Sequence, residues 1–153
     1  MPKILDNPLS WEMINNIIND KEARLFGRSK DVCKEYVRDK KKATFMYNST
    51  RDMILVKQLN YKPILTKNDK IVGLKDSKCF EQVICNNTFP YYVSEGISHK
   101  LLWSVKDLTD EDITTILKKE LIGLEYIYFR NPENLRSVPD IFHIHIFIRY
   151  DKD

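Results

Sequence analysis

The chain has 153 residues, the length of one ordinary globular domain, so we predict a single domain over residues 1–153. A composition of 42% hydrophobic and 31% charged residues, with 4 Gly and 6 Pro, excludes disordered and collagen-like classes. The net charge of +3 is too small to indicate nucleic acid as a partner. The sequence lacks an apolar stretch of membrane-spanning length and a signal-peptide core, and its 3 cysteines are irregularly spaced. We therefore expect a cytoplasmic protein with reduced thiols and no membrane partner.

The first sixty residues predict helices. Apolar residues recur at helical spacing over 11–20, after Ser10, whose hydroxyl can accept a hydrogen bond from the first turn. A second helix is expected to begin after Ser29 and to end near the basic cluster at 38–42. A short third helix is expected after Ser49 or its neighbour, although the β-branched residues there leave a strand open as the alternative.

Residues 28–42 carry 7 basic against 3 acidic residues. Aromatic residues at stacking positions do not interleave with these charges, so a nucleic-acid site is not favoured. We expect a solvated helix face in this part of the chain.

Beyond Pro63 the pattern changes to short runs rich in β-branched and aromatic residues, which predict antiparallel strands at 82–85, 99–105, 125–130 and 141–150. One helix interrupts them, because Thr109 and Asp112 form a capping-box pattern and Gly123 is a natural stop. The expected fold class is α+β, an antiparallel sheet with the N-terminal helices packed on one face.

The last predicted strand carries an alternating histidine motif. Side chains alternate across a strand, so three isoleucines share one face while His143 and His145 share the other. We expect the isoleucine face to be core and the histidine face to lie outside the core. The two imidazoles would stand roughly 7 Å apart, a spacing that lets both approach one metal ion or one phosphate.

The chain has 3 histidines, and the third, His99, opens another predicted strand. If that strand pairs with the last one, His99, His143 and His145 cluster. Three neutral imidazoles and a water form a known catalytic zinc site, so all three are candidate catalytic residues and candidate ligands of a divalent metal such as zinc. Acid and base catalysis without a metal is an alternative. The remaining alternative is a partly exposed sheet face with no site.

Two polar loops that contain proline, 87–91 and 131–140, precede the histidine strands, and loops beside a rigid sheet commonly bind ligands. A guanidinium at Arg149, on the histidine face, suits phosphate or carboxylate oxygens, so the expected ligand is a small anionic molecule. The predicted ligand-binding residues are Asn87, Tyr91, Arg136, Ser137 and Arg149.

A series of short motifs runs in one order from residue 10 to residue 150: Ser10-Trp11, Ile17-Ile18, Leu25 to Arg28-Ser29, Asn87 with Phe89-Pro90-Tyr91, Glu95-Gly96 with His99, Trp103-Ser104, Asn131-Pro132, Leu135-Arg136-Ser137-Val138, and His143-x-His145-x-Phe147-x-Arg149. This series resembles the fungal N-acetylglucosamine-induced protein family, which is chiefly a domain of unknown function. The resemblance implies one intact domain in a soluble intracellular protein and places all three histidines inside family motifs.

Heavy use of Lys and Ile, with little Arg and Gly, is typical of an A+T-rich genome such as that of a large DNA virus.

A second resemblance covers only residues 141–148, which are similar to the final strand of histidine-triad nucleotide hydrolases. That likeness implies His145 as the nucleophile and His143 as a supporting residue, whereas Phe147 stands where a third histidine belongs and the glycine-rich neighbourhood is missing.

Three functions therefore stay open. The first is a histidine-dependent enzyme that acts on a phosphorylated or sugar-nucleotide-like small molecule. The second is a non-catalytic module that binds a sugar or a protein, and the third is a histidine-triad-like hydrolase. Histidines converging at the bottom of a pocket would favour an enzyme, and a flat exposed face would favour a module.

Overall fold

A computed structural model describes residues 2–150; residue 1 and residues 151–153, the ends of the predicted domain, lie outside it. The helices are α1 (Trp11–Asn19), α2 (Lys30–Met46), α3 (Thr50–Gln58) and α4 (Asp110–Glu120). The strands are β1 (Lys62–Leu65), β2 (Ile71–Leu74), β3 (Gln82–Asn86), β4 (Ile97–Ser104), β5 (Glu125–Phe129) and β6 (Phe142–Arg149).

All four helices begin at the residues that the sequence indicates. The side chains of Ser10, Ser29, Ser49 and Thr109 each accept a hydrogen bond from a backbone N–H of the first turn. Helix α2 was expected to end near the basic cluster at 38–42, but it continues to Met46. It stops there because the next residue, Tyr47, is buried in extended conformation and bridges to β2.

The main sheet has four antiparallel strands in the order β3-β4-β6-β5, so β6 is central. Together with the helices it confirms the predicted α+β class. A second sheet, the β1–β2 hairpin, was not predicted, because β1 contains Pro63 and is only four residues long. A proline is tolerated there since each strand of a two-stranded ribbon keeps one open edge.

Both faces of β6 are buried, which corrects the expectation that the histidine face lies outside the core. On the isoleucine face, α4 contributes Ile113 and Leu117 to a cluster with Ile144 and Ile146. On the histidine face, α1 covers one end of β6 and α3 covers the β4 residues beside the other. A central strand between two helical layers has no exposed face, so the histidines lie in the interior.

Among the residues that the structure describes, no helix is long and apolar enough to cross a bilayer. The three cysteines are free thiols.

Candidate functional site

His99 and His145 meet across the β4–β6 pairing. In that register His99 stands opposite Phe147 and Leu101 stands opposite His145, so all four side chains share one face. His99 is therefore a diagonal neighbour of His145, and its Nε2 atom lies 2.8 Å from Nδ1 of His145. Both rings are buried, with 4% and 5% of their residue surfaces exposed. The pairing of the His99 strand with the last strand, on which the expected histidine cluster depended, is present in the structure.

The backbone of Tyr91 decides where the protons of this pair reside. Its N–H, which can only donate, lies 3.0 Å from Nδ1 of His99, so that nitrogen carries no proton. The proton of a neutral His99 ring is therefore on Nε2, from which it is donated to Nδ1 of His145. Nδ1 of His145 is then an acceptor, and His145 carries its own proton on Nε2.

The side chain of Asn131 faces that second N–H group. Its side-chain amide lies 3.2 Å from Nε2 of His145 and 3.2 Å from the hydroxyl of Tyr91. The two ends of an amide are told apart by their hydrogen-bond partners, and a protonated Nε2 requires the oxygen to face it. The amide nitrogen Nδ2 is placed at that position, where it donates to the Tyr91 hydroxyl, while Oδ1 is buried without a partner in the described chain. Turning the amide over lets Oδ1 accept from both His145 and Tyr91.

Burial keeps both rings of the pair neutral. Loss of solvation lowers the pKa of His99 to about 3, with the charge of Arg28 acting in the same direction. The pKa of His145 is also held well below its usual value, first by burial and then by the neighbouring His99, His143 and Arg28. Two neutral rings agree with the hydrogen bonds described above, in which His99 and His145 each carry one proton, on Nε2.

His143 has a different environment. Its Nδ1–H donates to the carbonyl oxygen of Ile141 at 3.2 Å, so its proton is on Nδ1 and its Nε2 is unprotonated. Its ring packs against Trp103, with 4.6 Å between centroids. Burial lowers the pKa of His143, partly offset by the Ile141 carbonyl, and the charges of Arg136 and Arg130 lower it further.

The Nε2 atom of His143 is free. It makes no hydrogen bond within residues 2–150, and it is not among the fully shielded polar atoms that lack a partner. The residue is 5% exposed and lines a cavity, from which we infer that Nε2 is reached through that cavity. An unprotonated imidazole nitrogen open to a cavity can accept a proton from a bound molecule.

This cavity, which we call the histidine cavity, has a volume of about 160 Å³ and lies between the histidine face of the sheet and helices α2 and α3. Aromatic and aliphatic side chains form much of its wall, among them Trp103, Phe89, Tyr36, Met53 and Val138. Its polar lining includes His143, His145, Asn86, Asn87, Thr50 and Ser137. Apolar walls with a few polar groups are typical of a small-molecule site.

Three cations line the histidine cavity, namely Arg28, Lys40 and Lys57, against one carboxylate, Asp39. Ion pairs within the described chain involve none of these four residues. The sequence did not point to this group, since residues 28–42 were expected to be a solvated helix face. Only the packing of α2 and α3 over the sheet turns part of that face towards the histidines.

The predicted ligand-binding residues divide into four groups, of which Arg149 is the last. Asn87 and Ser137 line the histidine cavity. Tyr91 stacks on His145, with centroids 5.3 Å apart, and packs at a tilt against His99, with centroids 4.6 Å apart. Arg136 donates to the backbone oxygen of Asn131 at 2.9 Å, so it braces the loop that holds the amide.

Arg149 does not line the histidine cavity. Its Nε donates to Glu125 at 2.7 Å, and its guanidinium lies over the ring of Trp11. The expectation that it would orient a ligand with the histidines is therefore corrected. Arg149 is four residues beyond His145 on a straight strand, on the order of 13 Å away, too far to share one small ligand.

The three histidines do not fit a metal ion. Nε2 of His99 and Nδ1 of His145 are 2.8 Å apart and joined by a proton, so neither directs a lone pair to a shared ion. Ligands of one zinc ion must each direct an unprotonated nitrogen to it at about 2.0–2.1 Å. Within the described residues no group of three or more His, Cys, Asp or Glu side chains is arranged to hold a metal.

The fold and the site together define an α+β domain with three neutral histidines in its interior, two of which, His143 and His145, line a cavity with excess positive charge. The chain belongs to the family described as "Protein of unknown function (DUF3605)", whose model matches residues 10–149. The predicted family resemblance is thereby confirmed, whereas a viral source stays a prediction.

Two similar proteins place the chain among known molecules. It is 22% identical to N-acetylglucosamine-induced protein 1 of Candida albicans in an alignment 175 positions long, which covers 94% of this chain and 69% of that protein. The solved structure "Crystal Structure of HTC1" shares the fold, with a TM-score of 0.64 and 22% identity over 94% of this chain and 86% of that one.

Proposed function

We propose that this protein is a histidine-dependent enzyme in which His143 acts as the general base on a small phosphorylated molecule bound in the histidine cavity. The observation that carries the proposal is the unprotonated Nε2 of His143, which has no partner within the described chain and opens to the cavity. A neutral imidazole with a free nitrogen can take a proton from a hydroxyl or a water of the bound ligand.

The hydrogen bonds of the other two histidines favour a positioning role for both. Both nitrogens of His99 are engaged, one by Tyr91 and one by His145. Both nitrogens of His145 are engaged as well, so it lacks the free lone pair that a nucleophile needs. We assign His99 and His145 to positioning and His143 to proton transfer.

The lining of the cavity supports an anionic ligand with one ring. The cations outnumber the carboxylate, so the site attracts negative charge. A volume of about 160 Å³ is close to that of an engineered cavity that holds benzene, so one ring fits inside and larger substituents extend through the mouth. The induction of the Candida relative by N-acetylglucosamine, stated in its name, makes sugar phosphates and nucleotide sugars the first candidates.

Two alternatives have less support. A binding module for a sugar or a protein would not need a free base inside a cavity, but it would use the same aromatic wall. A histidine-triad-like hydrolase would use His145 as nucleophile, and the hydrogen bonds of His145 disfavour that role. A cytosolic location belongs to the proposal and is supported by the three free thiols.

The test is turnover by the wild type and by His143→Gln. A mixture of hexosamine phosphates and uridine diphosphate sugars is incubated with each protein and followed by phosphorus NMR and mass spectrometry. We expect the wild type to consume a component of the mixture and the variant to be slower by about 10²- to 10⁴-fold, the usual contribution of a general base. Arg24→Gln, at an exposed ion pair, is the control and should match the wild type.

Equal rates in the wild type and His143→Gln would contradict the role of His143. Saturable binding of a component that the wild type returns unchanged would favour the non-catalytic module instead.

A further inference from the structure

We propose that Arg28, together with Lys40, forms a subsite for the dianionic phosphate of a monoester at the histidine cavity. This inference deepens the proposed function, on which it rests, by naming the group that the site selects. The evidence is the way in which the Arg28 guanidinium is held while its hydrogen-bonding capacity is left unused.

Three contacts fix the guanidinium of Arg28. Its Nε donates to the backbone oxygen of Phe89 at 2.7 Å. Its central carbon lies 4.3 Å from the ring centroid of Tyr36 and 5.3 Å from that of Tyr91. A guanidinium held by one hydrogen bond and two aromatic rings loses little further freedom when it binds a ligand.

The rest of the Arg28 fork is unoccupied. Within residues 2–150 its terminal nitrogens make no hydrogen bond and no ion pair, although the side chain is part-buried and lines the cavity. Two terminal N–H₂ groups on one plane match two oxygens of a phosphate. The Arg28 guanidinium is fixed, part-buried and without a carboxylate partner, so it suits an anion that a bound ligand supplies.

Lys40 adds a second charge beside the first. Its Nζ lies 5.8 Å from the centroid of the same Tyr36 ring, so the two cations flank one aromatic side chain. Lys57, from α3, lines the cavity as well, and Asp39 provides the one opposing carboxylate. This excess of charge favours a dianion over a monoanion of the same shape.

The test compares two ligands with the same ring and different charge. Phenyl phosphate presents one ring to the cavity and a dianionic monoester to Arg28, whereas phenyl sulfate has the same shape and a single charge. Calorimetric titration at pH 7.5 should give one saturable site for phenyl phosphate and at least tenfold weaker binding of phenyl sulfate.

Variants assign the effect to Arg28. Arg28→Lys keeps the charge but loses the fork, and Arg28→Gln loses both, so phenyl phosphate binding should weaken at least tenfold in each. Lys40→Gln leaves the Arg28 contacts intact and should weaken binding severalfold, which gives a result even if the Arg28 variants fold poorly. The control Arg24→Gln, at an exposed ion pair, should bind as the wild type does.

His143→Gln separates this inference from the proposed function. It should retain phenyl phosphate binding while losing turnover, because the subsite does not require the base. The subsite is overturned if the wild type does not bind phenyl phosphate, if phenyl sulfate binds equally well, or if binding survives in the folded Arg28 and Lys40 variants. None of these results would alter the turnover comparison that tests His143.

Discussion

Nε2 of His99 and Nδ1 of His145 lie 2.8 Å apart in the interior, and the N–H of Tyr91 fixes the direction of the hydrogen bond between them. One backbone donor thus determines the proton positions of two rings and the orientation of the Asn131 amide beyond them. The pair is closed at the His99 end, because the backbone N–H of Tyr91 can only donate. The free nitrogen of the cluster belongs to His143.

Acid should destabilise the protein as the pH falls below about 6.5. Burial lowers the pKa of His99 to about 3 and that of His145 well below its usual value, so in this range only the unfolded chain takes up protons on them. Their stabilising contribution is complete above pH 6.5 and is lost as the pH falls towards the folded pKa. At pH 5 the loss should be about 2 kcal/mol for His99, and the lowered pKa of His145 adds to it in the same direction.

Urea unfolding at several pH values between 5 and 7.5 measures this loss. Replacing His99 by Gln removes one titrating group, so the variant should show a shallower pH dependence, whatever its stability at pH 7.5. A free energy of unfolding that stays constant over this range would mean that the two rings are not kept neutral by the fold.

The histidine face of β6 should contribute to stability as much as the isoleucine face. Phe147 is fully buried on the histidine face, and Ile146 is fully buried on the other. We expect Phe147→Ala to cost about 3–5 kcal/mol and Ile146→Ala about 2–5 kcal/mol. Tyr150, which is exposed, provides the control, since Tyr150→Ala should cost about 0.5 kcal/mol or less. A small loss in Phe147→Ala would restore the idea of a face outside the core.

Arg149 should act on stability alone. Its ion pair with Glu125 is one-third exposed at both side chains, so a double-mutant cycle with Arg149→Gln and Glu125→Gln should give a coupling of about 1 kcal/mol or less. Phenyl phosphate binding should be unchanged in Arg149→Gln. A tenfold loss of that binding would bring Arg149 back into the ligand site.

His143 should be the one histidine that reacts with diethyl pyrocarbonate, a reagent that acylates unprotonated imidazole nitrogens. Its Nε2 opens to the cavity, whereas the nitrogens of His99 and His145 are engaged with each other and with Tyr91 and Asn131. Peptide mass spectrometry after brief treatment at pH 7 identifies the modified residue, and His143→Gln is the matched control. Modification of His99 or His145 in the folded protein would contradict their closed hydrogen bonds.

Local signals in the sequence were sufficient for much of the fold. Caps at Ser10, Ser29 and Thr109 depend only on neighbouring residues, and strands such as 141–150 show up as β-branched runs. The β1–β2 hairpin was not predicted because its strands are four residues long and contain a proline and a glycine. Burial of the histidine face escaped because a strand between two helical layers does not need to alternate apolar with polar residues.

The part of the site that depends on strand alternation and strand pairing was predictable from the sequence. Alternation places His143 and His145 on one face, and an antiparallel partner brings His99 beside them. The role of each histidine was not predictable, since it depends on single hydrogen bonds from the Tyr91 backbone and to the Ile141 carbonyl. Arg28 escaped because its partner Phe89 is 61 residues away along the chain. Asn131 carried one signal, its place in a family motif.

The most direct test of His143 as the general base is nitrogen NMR of the protein labelled with ¹⁵N at the histidine rings, recorded at pH 7. Long-range couplings to the ring carbons' protons assign the protonated nitrogen of each imidazole. We expect His143 to be neutral with its proton on Nδ1, and His99 and His145 to be neutral with their protons on Nε2. A proton on Nε2 of His143 at pH 7, in either a neutral or a charged ring, would contradict its assignment as the general base.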